Sequence, residues 1–161
     1  MPSCSICVIA LGRPARSVNS AFRKRLQRSA RWLRRQSSRH LRLGARGERR
    51  AARFLKQQGF RVLARNYRCV SGEIDLVCAR KKLLVFVEVK TRSSDESADP
   101  RDAVRPDQWR RIEHAAGYFI RIAQTHDRPC RFDLVAIHQQ GRRTVRIEHV
   151  ENAYQPSAPL G

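Results

Sequence analysis

Hydrophobic residues follow regular patterns from about Gly44 onward and are sparse before it. Apolar positions recur at helical spacing up to Leu55, and Gly59 is a typical helix stop. Short apolar runs between polar turns then indicate strands, and a second helical stripe begins near Pro106, a residue suited to a first helical turn. The predicted elements are a helix over 44–58, strands over 60–67, 72–79 and 83–91, a helix from 106, and strands over 131–138 and 144–150.

This order of elements, α-β-β-β-α-β-β, predicts the fold class. Strands interspersed with helices are typical of an α/β domain in which helices flank a central mixed sheet. The run from Leu83 to Val87 is continuously apolar, as expected for a strand covered on both faces. Arg80, Lys81 and Lys82 form a tight turn before it, so the two neighbouring strands should pair as a hairpin.

Charge divides the chain at the same place. Residues 1–43 hold 11 Lys or Arg and no acid, whereas 44–161 hold the other 23 basic residues against all 14 acidic ones, a net charge of +9. We therefore predict a basic tail over 1–43, a domain over 44–154 and a short C-terminal tail over 155–161. Three interpretations of the N-terminal tail stay open: disorder, a loose helix on an anionic surface, or a misassigned start codon. A chain of net charge +20 is attracted to polyanions.

Cysteine usage and hydropathy argue against a disulfide-stabilised protein and against a protein that spans a membrane. The five cysteines are an odd number whose spacing fits no disulfide framework. Cys78 and Cys130 lie in apolar runs and are expected to be buried thiols. The Cys4–Cys7 pair lacks a second pair at zinc-like spacing, so chance outweighs a metal or redox role. No apolar run approaches the ~20 residues of a membrane span. We expect a cytoplasmic protein that makes no use of a membrane.

The candidate chemistry lies where the third predicted strand ends. Glu88 and Lys90 are two residues apart and should share a face of the sheet. Charged groups in a buried strand are costly unless they have partners or a function. The hairpin partner supplies Asp75, flanked by Ile74 and Leu76. Two close carboxylates repel unless a cation bridges them, and oxygen ligands without His or Cys suit Mg²⁺ or Mn²⁺.

A third acid, Glu48, lies on the core-facing stripe of the first predicted helix, where packing alone does not favour a glutamate. Glu48, Asp75, Glu88 and Lys90 together predict a metal-hydrolysis site, with Asp75 and Glu88 as the metal ligands. The metal would activate a water and neutralise charge on a phosphate. Lys90 would orient or deprotonate that water, or stabilise the transition state.

Each of these residues also has a structural interpretation. Asp75 could simply pair with Lys90, and Glu48 could cap its helix or pair with Arg49 or Arg53. An acid, a spacer and a lysine occur by chance in many charged proteins. The joint pattern favours the functional interpretation because all four residues fall at suitable places on predicted elements.

Three further residue types receive structural or open interpretations. Asp133 is predicted to form an ion pair with Arg131 or another buried cation. The five histidines show no ligand spacing and are expected at the surface. Trp109, beside Arg110 and Arg111, is suited either to nucleic-acid contact or to anchoring its helix at the surface.

The motifs resemble those of the YraN-like uncharacterised protein family UPF0102, small bacterial proteins predicted to be endonucleases. The resemblance covers about 44–154. It rests on Gly44-x-x-Gly47-Glu48-x-x-Ala51, Gly59-Phe60-x-Val62-Leu63-x-x-Asn66-Tyr67-Arg68, Gly72-Glu73-Ile74-Asp75-Leu76-Val77, Val85-Phe86-Val87-Glu88-Val89-Lys90-Thr91-Arg92 and Arg131-Phe132-Asp133. That family in turn is similar to the PD-(D/E)xK nucleases, of restriction-endonuclease-like fold, near the Holliday-junction resolvases.

The resemblance implies a nuclease with Asp75, Glu88 and Lys90 as signature residues and Glu48 as an added acid. Contacts to nucleic acid, DNA rather than RNA, are then expected from four arginines: Arg46, Arg68, Arg92 and Arg110. Resolvase-like enzymes also suggest a homodimer. Many relatives carry a lysine early in the second helix where this chain has Gln108, so a supporting phosphate contact is expected to be missing.

Three functions account for the positive charge. A Mg²⁺-dependent endonuclease for DNA, including branched DNA, ranks first. A non-catalytic nucleic-acid-binding protein with a nuclease-like fold ranks second, and an RNA-associated factor that acts through the basic tail ranks third. Only the first explains acids inside apolar elements, since a protein that merely binds phosphate gains nothing from them.

Overall fold

The computed structural model describes residues 8–10, 40–93, 99–140, 143–156 and 160. Five long strands form a mixed sheet flanked by helices, which confirms the predicted α/β class. The elements are β1 (Val8–Ala10), α1 (His40–Gln57), β2 (Arg61–Cys69), β3 (Gly72–Arg80), β4 (Leu83–Ser93), a 3₁₀ turn (Pro100–Ala103), α2 (Pro106–Ala123), β5 (Cys130–Gln140) and β6 (Arg143–Tyr154).

The strands lie in the sheet in their chain order, and β4 and β5 are the one parallel pair among the described strands. Antiparallel neighbours need only short turns, and Lys81 (φ 55°) lies in the turn between β3 and β4, as predicted. A parallel pair needs a long crossover. The chain makes that crossover through α2, which therefore packs on the sheet beside the exit of β4.

Each helix covers one face of the sheet, and β4 alternates between the two cores. Leu84 and Phe86 pack against α2, while Val85 and Val87 pack against α1. This two-sided burial explains why the β4 sequence is continuously apolar. Glu88 follows Phe86 on the α2 face, so the strand leaves its core with a carboxylate directed toward α2.

Both ends of α1 can be compared with their predictions. The helix begins at His40, four residues before the expected start, and its end agrees with the glycine stop. Gly59 has φ 84°, and the N–H of Phe60 donates to the Leu55 carbonyl at 3.0 Å. A left-handed residue that closes the last turn is a common helix end, and glycine adopts it without strain.

The tails are described only in part. Val8–Ala10 pairs antiparallel with β2, with Val8 opposite Arg68 and Ala10 opposite Arg65. The remaining prediction for 1–43, up to the start of α1, lies outside the described residues. At the other end, Leu160 is half-buried against the α2 core, so this residue of the predicted C-terminal tail belongs to the packed domain. None of the described helices is long and apolar enough to cross a membrane.

Trp109 is buried, which contradicts the nucleic-acid contact that was one of its two predicted roles. Its side chain is 5% exposed in the α2 core and stacks on Tyr154, with ring centroids 5.3 Å apart and planes 5° apart. It therefore anchors the first turn of α2 to β6 instead of facing solvent. Of the two predicted buried thiols, Cys78 is buried, and burial followed by the Asp133 charge raises its pKa to about 12. Cys130 is only half-buried.

The predicted ion pair between Asp133 and Arg131 is confirmed. Its carboxylate is fully buried and accepts from Arg131 Nε at 2.8 Å, from Arg131 Nη2 at 2.9 Å and from the backbone N–H of Asn152 at 3.0 Å. His149 Nε2 lies 2.8 Å from the same carboxylate. Burial alone raises the pKa of Asp133, but the hydrogen bonds from His149 and Arg131 outweigh it and leave the pKa below its usual range.

The expectation that all histidines lie at the surface was therefore wrong for two of them. His149 is enclosed by Phe54, Phe60 and Asp133, and His138 is 8% exposed. His114 and His126 are exposed as expected. The spacing of single histidines carries no signal for such partners, which come from other strands and from α1.

Asp133→Asn is expected to lower the free energy of unfolding by about 3–5 kcal/mol, because it removes the charge of a fully buried ion-pair partner and leaves the half-buried Arg131 guanidinium partly unpaired. Glu151→Gln is the matched control, since Glu151 also pairs with Arg131 but is 52% exposed, and it should cost about 0–1 kcal/mol. The Asp133 contribution is present above the ordinary carboxyl pKa and is lost as the pH falls through the lower folded-state pKa. Urea unfolding at pH 7 and pH 3 measures both effects, and equal losses in the two variants would contradict the assignment.

Candidate active site

The site begins where β3 and β4 part. Their pairing runs from Arg80 opposite Leu83 to Leu76 opposite Val87 and ends there. The next backbone donor of β4, the N–H of Val89, donates instead to Asp75 Oδ2 at 2.8 Å. The carboxylate of Asp75 thus takes the place of a strand carbonyl, and the two strands diverge around it.

The backbone of β3 changes face at the same point. Ile74 packs in the α2 core and Leu76 in the α1 core, although residues two apart in a regular strand share a face. In the neighbouring strand β2, Asn66 has φ 48°, a left-handed conformation that asparagine tolerates better than most residues. These two irregularities lie side by side, since Arg65 pairs with Leu76 and Tyr67 with Ile74.

Glu88 and Lys90 are in contact on the α2 face of β4. Lys90 Nζ lies 2.9 Å from Glu88 Oε1, which confirms the predicted shared face. Gln108, in the first turn of α2, donates from Nε2 to the same Glu88 oxygen at 2.6 Å and accepts from Lys90 Nζ at 3.1 Å. The three side chains form a closed ring of polar contacts around a carboxylate that is 5% exposed.

Both carboxyl groups are held in unfavourable electrostatic surroundings. Burial and then the Glu88 charge raise the pKa of Asp75 well above its usual range, and the N–H of Val89 offsets this only in part. Burial also raises the pKa of Glu88, and the Lys90 ammonium opposes that effect. Carboxyl groups that are buried near each other destabilise their ionised forms, which is a common property of functional sites.

Glu48 reaches the site from α1. Asn66 Nδ2 donates to Glu48 Oε2 at 2.6 Å, and the Glu48 charge contributes to the raised pKa of Asp75. Because α1 begins at His40, Glu48 lies inside the helix and does not cap its start. α1 approaches the sheet closely at Gly47, where a Cβ would overlap Thr91 Oγ1. Small residues at this crossing let Glu48 lie within reach of Asn66.

A cleft of about 540 Å³ opens beside these residues, between the β2–β3 turn and α2. Asp75, Glu88 and Gln108 line it, and Arg68 and Arg111 border it. The turn packs so closely on the helix that a Cβ at Gly72 would lie only 2.5 Å from the Arg111 carbonyl oxygen.

Of the four arginines predicted to contact nucleic acid, Arg68 is the one that lines this cleft. Arg68 also pairs with Glu73 at 2.7 Å. Arg46 and Arg110 are exposed on α1 and α2, and Arg92 is half-buried near the end of β4. Arg111 borders the cleft and pairs with Asp107 at 2.6 Å. It had no predicted role of its own and was named only as a neighbour of Trp109.

Asn66 and Gln108 contact the site but were not among its predicted catalytic or metal-binding residues. An asparagine within an otherwise strand-like run was a usable signal, because asparagine is rare in strands and tolerates left-handed backbone. Gln108 was predicted only as the place of a missing phosphate contact, and its contacts with Glu88 and Lys90 left no local signal because those partners lie 20 and 18 residues away in the chain. Within the described ranges, no group of three or more His, Cys, Asp or Glu side chains is arranged as a ready-made metal site.

Comparison with known proteins identifies the family of this chain. The model of "Uncharacterised protein family UPF0102" matches residues 47–137, a range that includes Glu48, Asp75, Glu88, Lys90 and Gln108. A UPF0102 protein of Pelobacter propionicus is 43% identical over 114 residues, covering 70% of this chain and 81% of the relative.

Two other relatives give the same result. A UPF0102 protein of Nitratidesulfovibrio vulgaris strain DP4 is 39% identical and covers 73% of this chain and 87% of its own length. One of Chlorobium phaeobacteroides is also 39% identical, with coverages of 70% and 93%. The match of the family model to more than half of the chain and the long alignments with these relatives lead to one conclusion: this chain belongs to the uncharacterised protein family UPF0102.

Proposed function

We propose that this protein is a metal-dependent endonuclease that hydrolyses phosphodiester bonds in DNA. The observation that carries the proposal is the placing of Asp75 and Glu88 at the split between β3 and β4, both with raised pKa and with Lys90 bonded to Glu88. In a structural ion pair the carboxylate has enough donors to balance its charge, as the Asp133 carboxylate has. The candidate site holds more acidic than basic groups, and a bound cation would relieve that excess of negative charge.

The donor chemistry of the site fits Mg²⁺ or Mn²⁺. Asp75 and Glu88 offer hard oxygen atoms beside an open cleft, and no cysteine or histidine is needed. Mg²⁺ typically binds through one or two carboxylates and completes its shell with waters and substrate phosphates. A site with few protein ligands therefore suits this ion. When bound, the ion would supply an activated water and neutralise charge on the phosphate.

The remaining roles belong to residues of the chain itself. Lys90 presents an ammonium group beside Glu88, where it can donate to the attacking water or to a phosphate oxygen. Glu48, held by Asn66, adds an acid near Asp75 that can orient a water. Arg68 and Arg111 at the cleft border attract the phosphate backbone, as does the net charge of +9 over 44–161.

Simple nucleic-acid binding explains the net positive charge of the protein but not the two acids that line the cleft. A phosphate that enters the cleft meets Asp75 and Glu88 in addition to the arginines. In the absence of a cation these carboxylates repel it, so a protein selected only for affinity would not keep them there. Hydrolysis gives both acids a use.

A cleavage assay tests the proposal directly. Purified protein is incubated with single-stranded, duplex, flap and four-way DNA, in Mg²⁺, in Mn²⁺ and in excess chelator. We expect cleavage that requires the divalent cation, with branched substrates among those cut. Salt-sensitive binding without cleavage of any substrate in either ion would overturn the nuclease assignment and favour the binding protein.

A further inference from the structure

Gln108 contacts two residues of the proposed site at once. Its Nε2 donates to Glu88 Oε1 at 2.6 Å, and its Oε1 accepts from Lys90 Nζ at 3.1 Å. A carboxamide carries a donor and an acceptor on one group, so it can hold a carboxylate and an ammonium together. A lysine at this position would have donors only and would repel Lys90. The two contacts therefore depend on glutamine chemistry and not only on the space that the side chain fills.

The backbone that carries Gln108 is firmly placed. The next residue, Trp109, stacks on Tyr154, and Ile112 one turn later is 1% exposed. The Arg111 carbonyl lies close against Gly72 at the start of β3. A side chain on such a rigid element holds its partners more accurately than one on a loop.

The contacts also determine which carboxylate oxygen of Glu88 is available. Among the described residues, the contacts from Gln108 and Lys90 both fall on Oε1. Oε2 is then the oxygen left for a ligand. Gln108 Oε1 gives the Lys90 ammonium a second acceptor besides Glu88.

We propose that Gln108 is a positioning residue that orients Glu88 and Lys90 from α2. The inference rests on the proposed function, because it names how two residues of that same site are aligned. Hydrogen-bonded partners behind a metal-binding side chain typically contribute about 10–100-fold to affinity or activity. Gln108 supplies such a contact from an element that is separate in the chain from β4.

Gln108→Met and Gln108→Ala test the proposal against simple packing. Methionine keeps the length of the side chain and removes both polar atoms, whereas alanine removes the bulk as well. A packing role predicts that the methionine variant behaves like the wild type. A positioning role predicts that both variants lose function with little change in Tm. Gln57→Ala, which truncates an exposed glutamine at the end of α1, is the control.

The first readout needs neither metal nor DNA. Lys90 is labelled with an amine-reactive reagent and quantified by mass spectrometry, with the exposed Lys81 and Lys82 as internal references. Loss of the bond to Gln108 should raise Lys90 labelling about tenfold in both variants, which corresponds to about 1.4 kcal/mol. The second readout is Mn²⁺ affinity by calorimetry together with kcat and KM, where we expect affinity and kcat to fall about 10–100-fold with KM little changed.

The outcomes separate this inference from the proposed function. Unchanged Lys90 labelling in Gln108→Met would overturn the positioning role, whatever the wild type does to DNA. If Lys90 labelling rises in both variants but the wild type cuts no DNA, the labelling supports the positioning role and the missing cleavage overturns only the nuclease assignment. A fall in kcat confined to the alanine variant would indicate packing and also overturn the inference.

Discussion

Asp75→Asn is expected to abolish DNA cleavage while leaving the fold intact. Asparagine keeps the shape of the side chain and an oxygen that can accept from the N–H of Val89, so the β3–β4 split is preserved. It removes the charge that a divalent cation requires. The loss should exceed the about 10²–10³-fold that follows removal of one electrostatic donor.

The same substitution should not lower stability in the absence of divalent cations. The pKa of Asp75 is raised in the folded state, so its ionised form disfavours folding once the pH exceeds the ordinary carboxyl value of 3.8. Asparagine carries no such penalty. At pH 7 the Tm of Asp75→Asn should therefore equal or exceed that of the wild type, and the difference should shrink as the pH falls toward 4 because the folded-state carboxyl becomes protonated.

Melting curves and cleavage assays with and without Mn²⁺ measure both parts. Added Mn²⁺ should raise the Tm of the wild type and leave that of Asp75→Asn unchanged, since only a ligand that binds the folded state stabilises it. Asp127→Asn changes an exposed acid and serves as the control for lost charge. Cleavage that survives both Asp75→Asn and excess chelator would show that this site is not the catalyst.

Lys90→Ala is expected to slow cleavage by about 10²–10³-fold, the usual effect of removing one preorganised electrostatic donor. The substitution also affects Glu88. Burial raises the pKa of Glu88 and the Lys90 ammonium lowers it, so loss of Lys90 raises that pKa further. At high pH the variant should bind Mn²⁺ as the wild type does. On acidification its Glu88 is protonated first, so the variant should lose Mn²⁺ affinity at a higher pH than the wild type does.

Calorimetric Mn²⁺ titrations and single-turnover rates over a range of pH distinguish these two effects. Lys82→Ala removes an exposed lysine from the β3–β4 turn and is the matched control. Lys90→Arg keeps the charge and should retain the Mn²⁺ affinity profile more closely than alanine does. A Lys90→Ala variant that cleaves DNA at the wild-type rate would remove Lys90 from the mechanism.

Most of the fold was readable from the sequence because its signals are local. The helical stripe that ends at Gly59, the first-turn Pro106 and the continuous apolar run of β4 each depend on residues close together in the chain. The same holds for the shared face of Glu88 and Lys90, since the alternation of a strand fixes it. The ion pair of Asp133 with Arg131 also joins residues two apart.

Other features depend on contacts between distant parts of the chain. Trp109 lies beside two arginines in sequence but is buried because Tyr154 of β6 stacks on it. His149 looked like a surface residue and is enclosed by Phe54, Phe60 and Asp133. No periodicity within a single element reports such partners.

The sequence by itself determined the order of elements, the two-sided burial of β4 and the identity of the charged residues at its end. Only the tertiary structure decided how those residues are held. The splitting of β3 from β4 around Asp75, the contact of Asn66 in β2 with Glu48 in α1, and the bridge from Gln108 all join separate elements. Patterns of 3.6 and 2 residues determine which face a side chain occupies, whereas hydrogen-bond partners depend on how those faces pack together.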